Sequence, residues 1–90
     1  MKGGGKMYHA KVYVTLKKSV LDPQGVTVKH ALSSMGYDDV QDVRVGKYLE
    51  VRLKEKNEAH AKAKLEEMCK KLFTNPVIEE FSYDLKEVKG

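Results

Sequence analysis

The stretch SVLDPQGVTV, Ser19 to Val28, joins two segments of different hydrophobic period, and how it is read settles the architecture around it. A glycine-bearing loop ahead of a helix is a common seat for phosphate, because free backbone N–H groups point outward with the positive end of the helix dipole. Here Asp22 stands at the N-cap position, where its carboxylate accepts from the N–H groups of Gln24 or Gly25. Pro23 fits the first helical position, which needs no donor and has a preset φ. An anion would have to displace a carboxylate already in place, so the stretch reads as a rigid strand-to-helix corner made by Asp22, Pro23 and Gly25.

Upstream of the corner, YHAKVYVTL (Tyr8 to Leu16) alternates with period two. Ala10, Val12, Val14 and Leu16 share one face, and His9, Lys11, Tyr13 and Thr15 share the other, the pattern of a half-buried strand. Downstream, Val28, Ala31, Leu32 and Met35 recur at helical spacing, and Gly36 is placed to end that helix in the left-handed conformation. In DDVQDVRVGKYLEVRL (Asp38 to Leu53), Val43 and Val45 precede Gly46–Lys47, and Leu49, Val51 and Leu53 follow on alternate positions. That spacing predicts a hairpin with a two-residue turn at which Gly46 supplies a positive φ. A second helix is expected from Asn57, with Ala61, Leu65, Met68, Cys69 and Leu72 inward, ending before Asn75–Pro76 because proline restricts the residue ahead of it. The last strand is VIEEFSYDL, with Val77, Phe81, Tyr83 and Leu85 on one face.

The predicted order is β-α-β-β-α-β. With right-handed crossovers it gives an α+β, ferredoxin-like two-layer sandwich, an antiparallel sheet with two helices on one face. One domain is expected from Met7 to Val88, with residues 1–6 (MKGGGK) as a leader and 89–90 as a tail. The second sheet face then has no cover. Tyr13, Thr15, Arg44 and Tyr48 are expected to project from it, a mixture of aromatic and polar groups suited to pairing with another sheet.

Ninety residues form one small domain, near the size at which burial alone is marginal and a partner subunit often completes the core. Basic residues number 17 against 13 acidic; setting aside Lys2 and Lys6 leaves 15 against 13, or +2. Charges of both signs are interspersed, which does not make the clustered footprint that nucleic acid requires. No apolar run approaches the roughly 20 residues of a membrane span, and one cysteine, Cys69, cannot form an internal disulfide. The cytoplasm is the expected compartment, with neither nucleic acid nor membrane as partner.

The chemical inventory is thin. His9, His30 and His60 fall on different elements at no metal-ligand spacing, and the serines have no visible base. Cys69 lies in the apolar stripe of a helix and reads as a small buried hydrophobe rather than an activated thiol. The VGK tripeptide lacks the rest of a phosphate-loop pattern. No catalytic, cofactor-binding or metal-binding residue is assigned.

Three separated segments nonetheless resemble a known family in order and spacing: KVYVTLKKSVLDPQG, VQDVRVGKYLEV and EEMCKKLFTNPVIEEF. They are similar to PurS, the small subunit of bacterial formylglycinamide ribonucleotide amidotransferase (phosphoribosylformylglycinamidine synthase). The resemblance covers Met7 to about Val88; Phe73 stands where the family more often has leucine. It implies a purine-biosynthesis complex, an ATP-dependent glutamine amidotransferase and ligase, in which a glutaminase subunit releases ammonia and a synthetase subunit makes the amidine. PurS joins the two without an active site of its own, as a homodimer or homotetramer, and ATP and Mg are expected on the synthetase subunit.

The candidate contact residues are therefore Tyr13 and Tyr48 on the open face, Arg44, Gly46 and Lys47 at the hairpin tip, and Gln24 and Asn75 at the two corners. These offer polar groups on fixed backbone. Asp22, Pro23, Gly25 and Pro76 are assigned to shaping the corners. Two other functions share the topology: an RNA-recognition domain, which needs stacking aromatics on its central strands, and a small-molecule sensor binding effectors at a dimer interface.

Overall fold

The computed structural model describes residues 5–89. It has three strands and two helices, β1 (Lys6–Leu16), α1 (Pro23–Ser34), β2 (Lys47–Glu55), α2 (Glu58–Met68) and β3 (Glu79–Val88). A π-helical turn, Cys69–Phe73, extends α2. The sheet order is β2-β1-β3 and both pairings are antiparallel. The α+β arrangement expected from the sequence is present, with the strand nearest the N-terminus at its centre. That strand begins at Lys6, one residue inside the expected leader; residues 1–4 of the leader and Gly90 of the tail lie outside the described residues.

The period-two reading of β1 holds residue by residue. Tyr8, Ala10, Val12 and Val14 are all at most 2% exposed. The register aligns Ala10 with Val51 and Leu85, and Val12 with Leu49 and Tyr83, so one face of all three strands is apolar. Ala61, Leu65 and Cys69, at i, i+4 and i+8, lay a fully buried stripe of α2 and its extension on that face. Lys64 pairs with Glu55 at 3.2 Å, tying α2 to the end of β2 and holding the Glu55 carboxyl below the usual range.

Four expectations change. Residues 43–45 form no strand, so there is no hairpin and the sheet has three strands. Gly46 does not have a positive φ; among the described residues Gly36 does, at 95°, in its expected place after α1. What Gly46 provides is room: a Cβ there would stand 2.5 Å from the Val14 carbonyl oxygen and 2.8 Å from Thr15 Cγ2. Segment 40–46 is thus led alongside β1 by close approach and side-chain anchors instead of a ladder. Val77, expected in the last strand, sits in the turn before β3 and is 78% exposed, and Leu72, expected inward on the second helix, is 79% exposed in the π-helical turn that follows α2.

The apolar stripe of α1 is in place at helical spacing but is largely uncovered. Val28 is 41% and Met35 70% exposed, Ala31 is exposed, and Gly25 is the helix's buried residue. The molecule measures 59 × 28 × 14 Å with a radius of gyration of 17.6 Å, whereas a compact 90-residue chain has about 12 Å. Leu21, Val26 and Tyr37, next to this stripe, are also exposed.

Candidate functional site

Asp22 caps α1 as the sequence implies, its Oδ1 accepting from the Gly25 N–H at 3.0 Å. Its second oxygen, Oδ2, accepts from the Val45 N–H at 2.8 Å, which fastens the incoming segment to the helix start. These bonds, Val45 first and then Gly25, hold the Asp22 carboxyl below the ordinary aspartate value, against the opposing effect of its burial. Gly25 is required by contact: a Cβ there would collide with the Val43 carbonyl oxygen. Pro23 opens the helix at its first position.

The polar residues expected at a hairpin tip are bound to their own chain. Arg44 Nη2 donates to the carbonyl oxygens of Leu16 at 2.6 Å and Lys17 at 3.0 Å, capping the end of β1. Lys47 Nζ donates to the Phe73 carbonyl at 3.1 Å and lies 3.7 Å from Glu79 Oε2. Asn75 accepts from the Val77 N–H at 3.1 Å, while its own N–H donates to Glu79 Oε1 at 2.7 Å. Pro76 is exposed in the turn so formed. Gln24 is exposed beside a cleft of about 370 Å³ lined also by Asp22, Gly46, Lys47 and Glu79. The sequence reading missed Glu79, which braces two of these residues; its position at the first residue of β3, behind an Asn-Pro turn, is a signal that a turn-bracing acid could have been sought there.

Tyr13 and Tyr48 face each other across β1 and β2, ring centroids 5.4 Å apart and tilted by 37°, with 41% and 50% of each residue exposed. They stand on the face opposite α2. Desolvation and then the charge of Glu50 push the Tyr48 hydroxyl above the usual tyrosine value. The rest of the face carries cross-strand charges: Lys11 lies between Glu50 and Asp84, and His9 Nε2 is 3.1 Å from Glu50 Oε1. Because Lys47 pairs with Val14 and Tyr48 with Tyr13, the tyrosine pair adjoins the braced corner. One end of the sheet therefore gathers Tyr13, Tyr48, Gln24, Arg44, Gly46 and Lys47, with Asn75 joined to them through Glu79.

Away from this end, Cys69 is fully buried, and burial followed by the charge of Glu66 pushes its thiol up, the reverse of activation. Tyr83 donates to Glu66 Oε2 at 2.7 Å. Among the described residues no three of His, Cys, Asp or Glu are grouped to hold a metal ion, and no helix is long and apolar enough to cross a membrane.

Fold and site together define a small α+β domain with a braced corner and an uncovered, tyrosine-bearing sheet face, the build of a subunit that works by contact. The chain belongs to the PurS family: the model of PurS, described as phosphoribosylformylglycinamidine (FGAM) synthase, matches residues 9–87. Subunit PurS of this synthase from Bacillus subtilis is 55% identical over 82 residues, which are 91% of this chain and 96% of that protein. A crystal structure of B. subtilis PurS superposes with a TM-score of 0.80 at 54% identity, covering 89% of this chain and 99% of that one. PurS of Methanocaldococcus jannaschii, one of the subunits of formylglycinamide ribonucleotide amidotransferase, gives 0.80 at 39% identity, covering 91% and 99%. A chain of the PurLQS structure from Thermotoga maritima gives 0.78 at 27% identity, covering 91% and 98%.

Proposed function

We propose that this chain, a PurS subunit of phosphoribosylformylglycinamidine synthase in purine biosynthesis, acts by docking: it holds a glutaminase subunit and an ATP-dependent synthetase subunit in register. The observation that carries this reading is the uncovered Tyr13–Tyr48 pair set on a corner whose cationic groups are bound to their own backbone. Aromatic rings on rigid backbone are effective contact groups, and a charge already engaged by carbonyl oxygens serves shape before chemistry. The relative found in a PurLQS assembly supports the same partners here.

In this reading ATP and Mg are bound by the synthetase, the reaction runs in the cytoplasm, and the subunit assembles as a homodimer or homotetramer. Its contribution to the rate is positional. Ammonia released from glutamine is kept from bulk solvent and delivered at high effective concentration to the acceptor when both active sites are held together.

The test is reconstitution of glutaminase and synthetase with and without this chain, following amidine formation from glutamine and, separately, from ammonium salt. Glutamine-driven turnover is expected to need the chain. A Tyr13→Glu/Tyr48→Glu variant should lower it about tenfold, equivalent to roughly 1.4 kcal/mol of docking energy, with the ammonium-driven rate much less affected. Equal glutamine-driven rates with and without the chain would refute docking.

A further inference from the structure

We propose that the end of the open sheet face remote from the tyrosine pair binds a sugar phosphate, its phosphate seated across Arg52, His9 and Lys86 and its sugar hydroxyls on Asp84 and Glu50. The site goes beyond the docking reading and does not rest on it. On this face the residues of β2, β1 and β3 fall in rows: Tyr48, Tyr13 and Ser82, then Glu50, Lys11 and Asp84, then Arg52, His9 and Lys86. The first two rows follow the usual cross-strand preferences, an aromatic pair and a cation between two acids. The third sets basic groups side by side on all three strands, and Lys54 adds another at the next outward position of β2. Like charges directly opposite one another destabilise a sheet unless an anion offsets them. In a sheet that is otherwise consistent, such a break in the local rule is expected where a function requires it.

The two ends of the face also use their cations differently. At the corner, Arg44 and Lys47 donate to backbone carbonyl oxygens. At the far end Arg52, Lys54 and Lys86 are exposed and, among the described residues, their side chains make no salt bridge. A cleft of about 490 Å³ lies there, lined by His9, Lys11, Asp84, Leu85 and Lys86, with Arg52 on the other side of His9. Three adjacent strands span about 10 Å, so an arginine fork, an imidazole and an ammonium can converge on one phosphate. His9 Nε2 is 3.1 Å from Glu50 Oε1; a protonated imidazole donates to that carboxylate from one nitrogen and to a phosphate from the other. The carboxylates narrow the class of ligand. Asp84 and Glu50 stand one row, about 7 Å, along the strands, where they would repel the next phosphate of a nucleic-acid backbone but accept from hydroxyl groups. A single phosphate joined to a polyol ring meets both requirements. Tyr13 is four residues, about 13 Å, from His9 along β1, which separates this seat from the aromatic contact surface.

The test is a titration of the isolated full-length chain at low salt, followed by backbone amide NMR, with ribose 5-phosphate, inorganic phosphate and ribose as separate probes. Ribose 5-phosphate is expected to shift the amides of His9, Arg52 and Lys86 saturably, and ribose alone to shift none of them. Inorganic phosphate should bind about threefold more weakly than ribose 5-phosphate, and Asp84→Asn should abolish that difference. Lys86→Glu and Arg52→Glu, both at exposed positions, should each weaken ribose 5-phosphate about tenfold or more, with the dispersion of the remaining amide signals showing the fold retained. Tyr13→Glu/Tyr48→Glu should leave the binding within about twofold of the wild type. No saturable shift in the third row, binding that survives either charge reversal in a folded chain, inorganic phosphate binding as tightly as ribose 5-phosphate, or binding lost with the tyrosine variant would each overturn the assignment. Every arm uses this chain alone, so docking of the partner subunits can fail while the phosphate seat stands, and the reverse.

Discussion

The two helices carry apolar residues at the same spacing and meet opposite fates. On α2 and its extension Ala61, Leu65 and Cys69 are fully buried, whereas on α1 Val28 and Met35 keep 41% and 70% of their surface. Propensity does not separate them, because α1 is capped by Asp22 and α2 by Asn57, each side chain accepting from an N–H three residues on. What separates them is how each helix is entered. Two residues, Lys56 and Asn57, join β2 to α2, which folds straight back on the sheet. The longer link from β1 is tied by Asp22 and Gly25 to segment 43–45, and that anchorage fixes where α1 begins. Hydrophobic period reports that a face will be covered; the connections decide by what.

The sharpest way to break this comparison is to truncate one residue on each stripe. Leu65→Ala, at a fully buried position touching the β1 core, should cost about 2–5 kcal/mol in urea unfolding. Met35→Ala should stay within about 0.5 kcal/mol when the chain is dilute enough for copies to separate. Similar costs for the two under those conditions would mean that α1 is packed within its own chain.

A smaller effect concerns the corner that sets α1 apart. Asp22 has a folded-state pKa below its unfolded value, chiefly through the Val45 N–H and then the Gly25 N–H. Its contribution to stability is therefore fully present above the unfolded value, about 3.9, and is lost as pH falls through the folded value. Asp22→Ala should remove that part of the acid dependence, so stability plotted from pH 6 down to about pH 2 falls less steeply in the variant than in the wild type. The Val45 amide should also exchange faster with deuterium. Parallel acid profiles would show that the carboxylate is not what holds segment 43–45.

How much of this could be read beforehand follows the same division. Period two in β1, the Ala61–Leu65–Cys69 stripe of α2, the Asp22 cap and the Gly36 terminus are local patterns, each fixed by a few neighbouring residues, and all are where the sequence puts them; Leu72, expected inward one turn further on, is not. The hairpin at Gly46–Lys47 failed because Val43 and Val45 alternate like a strand, yet Arg44 and Asp22 use the backbone groups around them in side-chain bonds. Gly46 was read through conformational freedom when its requirement is steric. The candidate contact residues were drawn from separate strands and corners; that the sheet register sets Tyr13 against Tyr48 beside Lys47 is a long-range fact no local pattern carries. Arg44 and Lys47 look like free surface cations in the sequence, and only the structure shows them engaged at 2.6 Å and 3.1 Å with carbonyl oxygens.

The smallest effect belongs to a polar link between α2 and β3. Tyr83 donates to Glu66 Oε2 at 2.7 Å, and this bond, with burial and the Glu66 charge behind it, pushes the tyrosine up to about 12. A carboxylate acceptor favours the protonated phenol, since the phenolate would lose the bond and face a like charge. Raised in the folded state, the group stabilises the fold fully below its unfolded value near 10 and loses that contribution as pH rises toward the folded value. Tyr83→Phe keeps the ring on Phe81 and the core, so its cost at neutral pH should be about 1 kcal/mol, that of one hydrogen bond. The variant should also lose less stability than the wild type between pH 9 and about 11. In the wild type, phenolate absorbance should show one of the five tyrosines ionising later than the others. If Tyr83→Phe leaves that late step in place, the shifted group is another tyrosine, and the strap between α2 and β3 is weaker than its 2.7 Å length implies.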